Sequence, residues 1–423
     1  MSERDWATDF DHTDPEWGAH APQIWDELRQ RCPVAHSEKF GGTWLPTRHS
    51  DIAAIAADTE HFSSQGVIVT EWKPFIPAPV GYAPPITSDP PFHEIARRIL
   101  LPAFSPKAVA PLEAATRSFC RSMLEDLTAT AAENGGIVEF DAAVDYAQHI
   151  PVHVIAHMLG VPESDGDRFR VFIHRILERA GQNAPIPPGE TLSDYIAHSI
   201  AARRGQPSDD LIGFLMNAEI DGVALTTEHI TGTIALLLIA GIDTTWSAIG
   251  ATLWHLSQHP ADVARLRAEP ELLPTAIEEF LRFYAPVTMA RIAATDTEIG
   301  GCPVAKGDWV LLPFPAANRD PGVFDRADEL VIDRERNRHA AFGLGIHRCL
   351  GSNLARMELR VAVEEWLRIS ESFELAAPDD PESVRWATGQ VRGPRTCPVR
   401  MRCAVDQDVS DETNSLTTEG ANR

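Results

Sequence analysis

Positive charge is what this sequence has least of: 37 Lys and Arg face 61 Asp and Glu in 423 residues, a formal charge of −24. That balance excludes nucleic acid as a partner, because phosphate binding needs a basic surface. Its ordinary consequence is solubility. Cysteine is scarce as well. The six, at 32, 120, 302, 349, 397 and 403, are scattered without a disulfide framework, which fits a reducing, cytoplasmic compartment. Long apolar runs are missing, since the longest, Ile234 to Ala240, falls short of the roughly twenty residues a bilayer span needs. The opening Met1-Ser2-Glu3-Arg4-Asp5-Trp6 lacks the basic start and apolar core of a secretory signal. A soluble protein without membrane attachment is expected.

No glycine–serine linker or charged tract divides the chain between its ends. The expectation is a loose polar segment over 1–20, one large domain over 21–405, and a disordered tail over 406–423 with little to bury. A domain of this size can enclose a cofactor. The pattern reads as mainly α with small β-sheets. Trp44 to Thr47 reads as a strand before a helix near Asp51 to Ala57, and short strands fill Thr297 to Leu312 with turns at Gly300-Gly301 and Lys306-Gly307-Asp308. A helix from Thr227 to His259, ended by Pro260, would be roughly 50 Å long and cross the domain. Prolines at 74, 77, 79, 84, 85, 90 and 91 forbid regular structure there. The run Gly181 to Gly189 separates helical stretches near Asp167 to Arg179 and Ser193 to Ala202. Both irregular segments read equally as binding loops and as surface excursions.

The most informative stretch is Phe342-Gly343-Leu344-Gly345-Ile346-His347-Arg348-Cys349-Leu350-Gly351. Glycines allow tight backbone turns beneath a flat group. Leu350, Leu354, Met357 and Val361 then recur on one helical face, which puts Cys349 near a helix start that favours its thiolate. Such a thiolate is a good axial ligand for haem iron. The plain alternatives are a cysteine packing as a small hydrophobe and a His-x-Cys zinc site, the latter without a second ligand pair nearby. A second signal is Ala240-Gly241-Ile242-Asp243-Thr244-Thr245 inside the long helix, an acid–alcohol pair beside small residues that let a flat ring approach. Its plain alternative is a buried helix whose Asp243 pairs with an arginine. Glu279 and Arg282, three apart, share a helix face in the run Thr275 to Tyr284.

These motifs, in this order, resemble those of the cytochrome P450 monooxygenases: the Phe-Gly-x-Gly-x-His-x-Cys-x-Gly loop, the Ala-Gly-x-Asp-Thr-Thr helix, and Glu-x-x-Arg. Asp89-Pro90-Pro91-Phe92-His93-Glu94-Ile95-Ala96-Arg97 matches a fourth pattern, and the likeness runs from about Trp25 to Val399. The resemblance implies that family's fold, with the long central helix over haem b. Cys349 would hold the iron, while Asp243 and Thr244 would manage protons for oxygen chemistry. His93, Arg97, Arg291 and His347 would hold the haem propionates, with Arg98 the alternative to Arg97. Glu279 and Arg282 would be buried with a third member, Arg334, or else Arg336 or Arg338.

The same resemblance implies a monomer that uses dioxygen to hydroxylate, epoxidise or demethylate a small organic substrate. Val67, Ile68, Val69, Leu236, Ile239, Ala240, Val287 and Thr288 are expected to line its pocket. No dinucleotide fingerprint follows Cys349, so electrons would come from a ferredoxin served by a flavin reductase. Arg98, Arg348, Arg356 and Arg360 would form a basic docking patch. The rival readings are a peroxide-driven peroxygenase, a haem-thiolate nitric oxide reductase, and a sensor or carrier.

Overall fold

The computed structural model describes residues 4–69, 81–178, 189–206 and 208–403. Prolines 74, 77 and 79, the 181–188 run and the acidic tail lie outside the described residues. The chain folds around one long helix. We label α1 Pro15–Arg31, α2 His49–Ala57, α3 Phe92–Leu100, α4 Leu112–Leu127, α5 His149–Leu159, α6 Thr227–Leu256, α7 Pro260–Ala268, α8 Leu273–Phe283 and α9 Ser352–Ile369. Thr226 caps α6 by accepting from the His229 backbone N–H, as an N-cap threonine should. The helix ends at Leu256 rather than His259, and Pro260 instead opens α7, where its missing N–H costs nothing. By length and composition α6 is apolar enough to cross a membrane. However, 67% of its most apolar window is buried inside the protein, as in a core helix of a packed domain.

Two small sheets frame the helices. With β1 Val34–Ser37, β2 Thr43–Pro46, β3 Phe62–Ser63, β4 Ile137–Asp141, β5 Thr288–Ala293, β6 Trp309–Pro313, β7 Ser370–Leu375 and β8 Pro398–Cys403, the five-stranded sheet runs β1-β2-β6-β5-β3. Its β2–β6 pair is parallel and its other pairs antiparallel. The second sheet runs β7-β8-β4. The hairpin Thr297–Ile299 with Cys302–Val304 turns at Gly300-Gly301 as expected. Mainly α with small β-sheets is therefore the observed class.

The N-terminal segment corrects an expectation. It does not lie loosely: Trp6 (3% exposed), Phe10 (1%) and Trp17 (5%) pack with Trp25 and Leu28 of α1 against the β1–β2–β6 side of the sheet. Each aromatic ring buries a large area, so three of them anchor a segment that is polar by residue count.

Candidate active site

Local geometry around Cys349 follows from its glycines. Gly345 has φ +68°, and a β-carbon there would sit 2.1 Å from the Ala56 carbonyl oxygen, so only glycine lets this loop lie on the end of α2. The Cys349 backbone N–H donates to the Phe342 carbonyl (2.7 Å), closing the loop three residues before α9 starts. The cysteine opens onto a largely apolar cavity. Gly351, Leu354, Ala355, Glu358 and Leu359 of the proximal helix side line it from one wall. Leu236, Leu237, Ala240, Gly241, Thr244, Thr245 and Ala248 of α6 line it as well. One expectation changes here. Burial pushes the Cys349 thiol up, outweighing the Gly351 N–H and the guanidinium groups of Arg97, Arg348 and Arg356. A helix start alone does not hold this thiolate; a coordinated metal cation does so outright.

A cationic corner closes the same cavity. Arg97, Arg291 and His347 line it, and the His93 ring meets the His347 ring edge-on at 4.3 Å. Arg97 donates to the Arg348 carbonyl (2.6 Å), whereas Arg98 is exposed, which separates the two alternatives. Arg291 is 4% exposed, and burial lowers its pKa to about 10. Its Nη1 donates only to a backbone carbonyl, and among the described residues it forms no salt bridge. Neither ring nitrogen of buried His93 has a hydrogen-bond partner among the described residues. Buried cations and donors without an anion are costly. A dianionic group entering this corner satisfies them, so the residues present fit the two propionates of haem, and Cys349, lining the same cavity, would hold its iron.

Of the expected pocket residues, Leu236, Ala240 and Val287 line the cavity. Val67, Ile68, Val69, Ile239 and Thr288 do not. The Val67 carbonyl accepts from Ala290 beside β5, and Val69 packs into the N-terminal cluster. Ile68 and Ile239 pack on the main core, and Thr288 is the buried first residue of β5. An apolar residue satisfies either setting, so composition could not separate them. Gly241 also brings α5 close to α6, since a β-carbon there would meet Ile155 Cδ1 at 2.5 Å.

Asp243 and Thr244 diverge. Thr244 lines the cavity, and its hydroxyl donates to the Ala240 carbonyl (2.7 Å). Asp243 is 0% exposed, does not line the cavity, and meets Arg395 at 2.9 and 3.2 Å. Arg395 also lies over the Trp246 ring (4.4 Å) and donates to Ser247 Oγ (3.1 Å). Sequence reading missed Arg395, which no motif spacing ties to Asp243. It also missed Ser64, whose Oγ lies 2.8 Å from His347 Nε2.

The three-residue ion cluster is present in full. Arg282 donates from Nε and Nη2 to both oxygens of Glu279 at 2.8 Å, and both side chains are 0% exposed. Arg334 Nε reaches Glu279 Oε2 at 3.0 Å, while Arg336 and Arg338 are exposed. Asn337 and the Val331 N–H complete the carboxylate's partners. The basic patch, in contrast, is half cancelled. Arg356 is doubly paired with Glu278 (2.6 and 2.7 Å), and Arg360 with Glu113 and Glu364. Only Arg98 and Arg348 of the four are exposed without a carboxylate partner among the described residues.

A fold with a thiol loop facing a central helix across a cation-cornered cavity defines a haem-thiolate class, and comparison with known proteins agrees. The "Cytochrome P450" family model matches residues 188–385. The chain is 34% identical to the nocardicin C N-oxygenase of Nocardia uniformis subsp. tsuyamanensis, over 88% of this chain and 92% of that one. It is 32% identical to cytochrome P450-terp of a Pseudomonas species, over 89% and 92% respectively. The crystal structure of CYP108D1 from Novosphingobium aromaticivorans superposes with TM-score 0.80 at 28% identity, covering 93% of this chain and 98% of that one. The chain belongs to the cytochrome P450 family and is a monooxygenase of that family, whose cofactor is haem iron.

Proposed function

We propose that this protein is a cytoplasmic, monomeric monooxygenase carrying haem b, fed electrons by a separate ferredoxin and flavin reductase. It inserts one atom of dioxygen into a small-to-medium apolar molecule by hydroxylation, epoxidation or oxidative demethylation. The observation that carries this reading is Cys349 and Thr244 lining one largely apolar cavity, together with Arg97, Arg291 and His347. Bound haem supplies oxygen activation and the oxidising power for attack on the substrate. Cys349 holds the iron. His93, Arg97, Arg291 and His347 bind the propionates and fix the ring's orientation.

Leu236, Leu237, Ala240 and Val287 exclude water and hold an apolar substrate. Thr244 holds a proton at Oγ1 beside the reacting oxygen. Asp243 resupplies it after turning from Arg395, a path that solvent reaches through the 14% exposed Arg395 side chain. Arg98 and Arg348 offer the positive contact for an acidic electron donor, steering that salt weakens.

One comparison tests the whole reading: turnover with ferredoxin and reductase, with peroxide alone, and with neither. Product and dioxygen consumption only in the first arm support it. Product with peroxide alone at an equal rate would make the protein a peroxygenase, and ligand binding with no turnover would make it a sensor or carrier.

A further inference from the structure

Behind the cavity, at the junction of α6, α7 and α8, lies a group of side chains that oxygen chemistry does not use. The Tyr284 hydroxyl donates to His255 Nδ1 (2.8 Å), and His255 Nε2 donates to Asp262 Oδ2 (2.9 Å). His255 is 3% exposed; burial lowers its pKa despite Asp262, so the ring is neutral and its Nδ1 is free to accept. The ring is further fixed by His259, stacked at 3.8 Å and 5°, and by the edge of Phe280 at 5.5 Å. Two tryptophans complete the group. Trp254 lies 5.8 Å from Tyr284 and 5.1 Å from Trp386, centroid to centroid.

This group abuts the candidate haem site. Leu281 and Pro286, which flank Tyr284 in the chain, both line the cavity. Ala248 lines it too, and Trp254 follows on the same helix roughly 9 Å further along the axis. We propose that Tyr284 is a redox-active tyrosine, serving with Trp254 as a sink for oxidising equivalents left on the haem when no substrate consumes them. This rests on the cytochrome P450 reading above.

The step balances as one electron and one proton. Tyr284 gives up an electron to the oxidised haem while its O–H bond breaks, and the proton passes to His255 Nδ1. The imidazolium formed is held by the Asp262 carboxylate, an attraction that favours the charged ring. A one-electron reductant such as ascorbate then restores the phenol. A positive hole on Trp386 is opposed by the Arg392 guanidinium 4.2 Å from that ring; Arg392 acts on Tyr284 too, but the tyrosyl radical is neutral once its proton has left. Tyr284 also has a base in place to take its proton.

The test uses substrate-free ferric holoprotein. Its reduced carbon monoxide spectrum is read first, so that failure of the haem-thiolate reading is seen separately. The protein is then mixed with meta-chloroperbenzoic acid, freeze-quenched and examined by electron paramagnetic resonance. We expect a tyrosyl signal that falls at least fivefold in Tyr284→Phe, a variant that keeps the ring packing. Haem bleaching by the same peracid should accelerate severalfold. His255→Gln should lower the radical yield and abolish the rate difference between H₂O and D₂O, and Asp262→Asn, which keeps the base but weakens its charged form, should lower the yield. A thiolate-type spectrum with no tyrosyl signal, or an unchanged signal in Tyr284→Phe, overturns the proposal. An unchanged isotope effect in His255→Gln also overturns it, since His255 would then take no proton. Photogenerated tris(bipyridine)ruthenium(III), an oxidant independent of the haem, gives a second arm. Preferential oxidation of Tyr284 over other tyrosines supports the dyad, and indiscriminate oxidation counts against it.

Discussion

Asp243 shows how a single side chain can carry two obligations. It is buried, and its charge meets Arg395 at 2.9 Å, so removing the arginine takes a close counter-charge from a carboxylate in the core. Arg395→Ala should cost about 3–5 kcal/mol, the usual penalty for breaking a buried pair, read as a lower urea midpoint. Arg395→Lys keeps the charge and should cost less. Near-equal midpoints for wild type and Arg395→Ala would mean that the pair is not what keeps Asp243 buried. Thr244→Ala should keep the haem spectrum while dioxygen consumption rises above product formed, because the hydroxyl facing the cavity is gone. Tight coupling in that variant would remove Thr244 from proton handling.

At this scale the sequence was informative wherever chemistry fixes spacing. Glu279 and Arg282 meet because residues three apart share a helix face, and His347 and Cys349 belong to one short loop. Arg395 could not be found that way, since 243 and 395 are joined only by the packing of the C-terminal segment on α6.

Elements succeed or fail through a few close approaches. The Cys349 loop rests on α2 only because Gly345 lacks a β-carbon, so Gly345→Ala combines a clash with the Ala56 carbonyl and an unfavourable φ. A loss above about 1 kcal/mol is expected, seen as a lower Tm and weaker haem retention. An unchanged Tm would show that the loop can leave α2 without cost.

The long helix was legible because thirty residues without an internal breaker leave little else possible, although its last turn was misjudged. Pro260 was read as the stop when it is the next helix's first residue. The 1–20 segment misled for the opposite reason. Trp6 and Phe10 precede α1, so their burial beside Trp17 comes from tertiary packing against the helix and the sheet. Val67 and Val69 likewise face a packed core, and apolar composition reads the same on both sides of a wall.

Across the molecule, burial of neutral histidines makes the fold sensitive to acid. His12 is 1% exposed, accepts from the Gln390 amide at Nε2, and burial brings its pKa to about 4. An unfolded histidine titrates near 6.5, so below that pH the unfolded chain binds a proton the folded one refuses. Stability is full above about pH 6.5 and falls as pH drops toward 4. The loss from this residue approaches about 3 kcal/mol. Burial lowers His229 and His255 too, and they act in the same direction. Tryptophan fluorescence should report loosening of the N-terminal cluster in this window, and His12→Gln should flatten the response. An identical acid profile in that variant would assign the sensitivity elsewhere.

Under the proposed docking of an acidic electron donor, Arg98 and Arg348 are the two members of the expected patch left exposed without a carboxylate among the described residues. Reversing both should slow ferredoxin-driven reduction and flatten its salt dependence, with unchanged rates counting against that face.

The clasp between Asp243 and Arg395 also sets an order of events during synthesis. A ribosome releases the chain from its N-terminus, so His93 emerges roughly three hundred residues before Arg395. Asp243 on α6 meets Arg395 only when the chain has emerged almost to β8, which begins at Pro398. A nascent chain stalled before Arg395 carries the cysteine loop yet lacks the clasp.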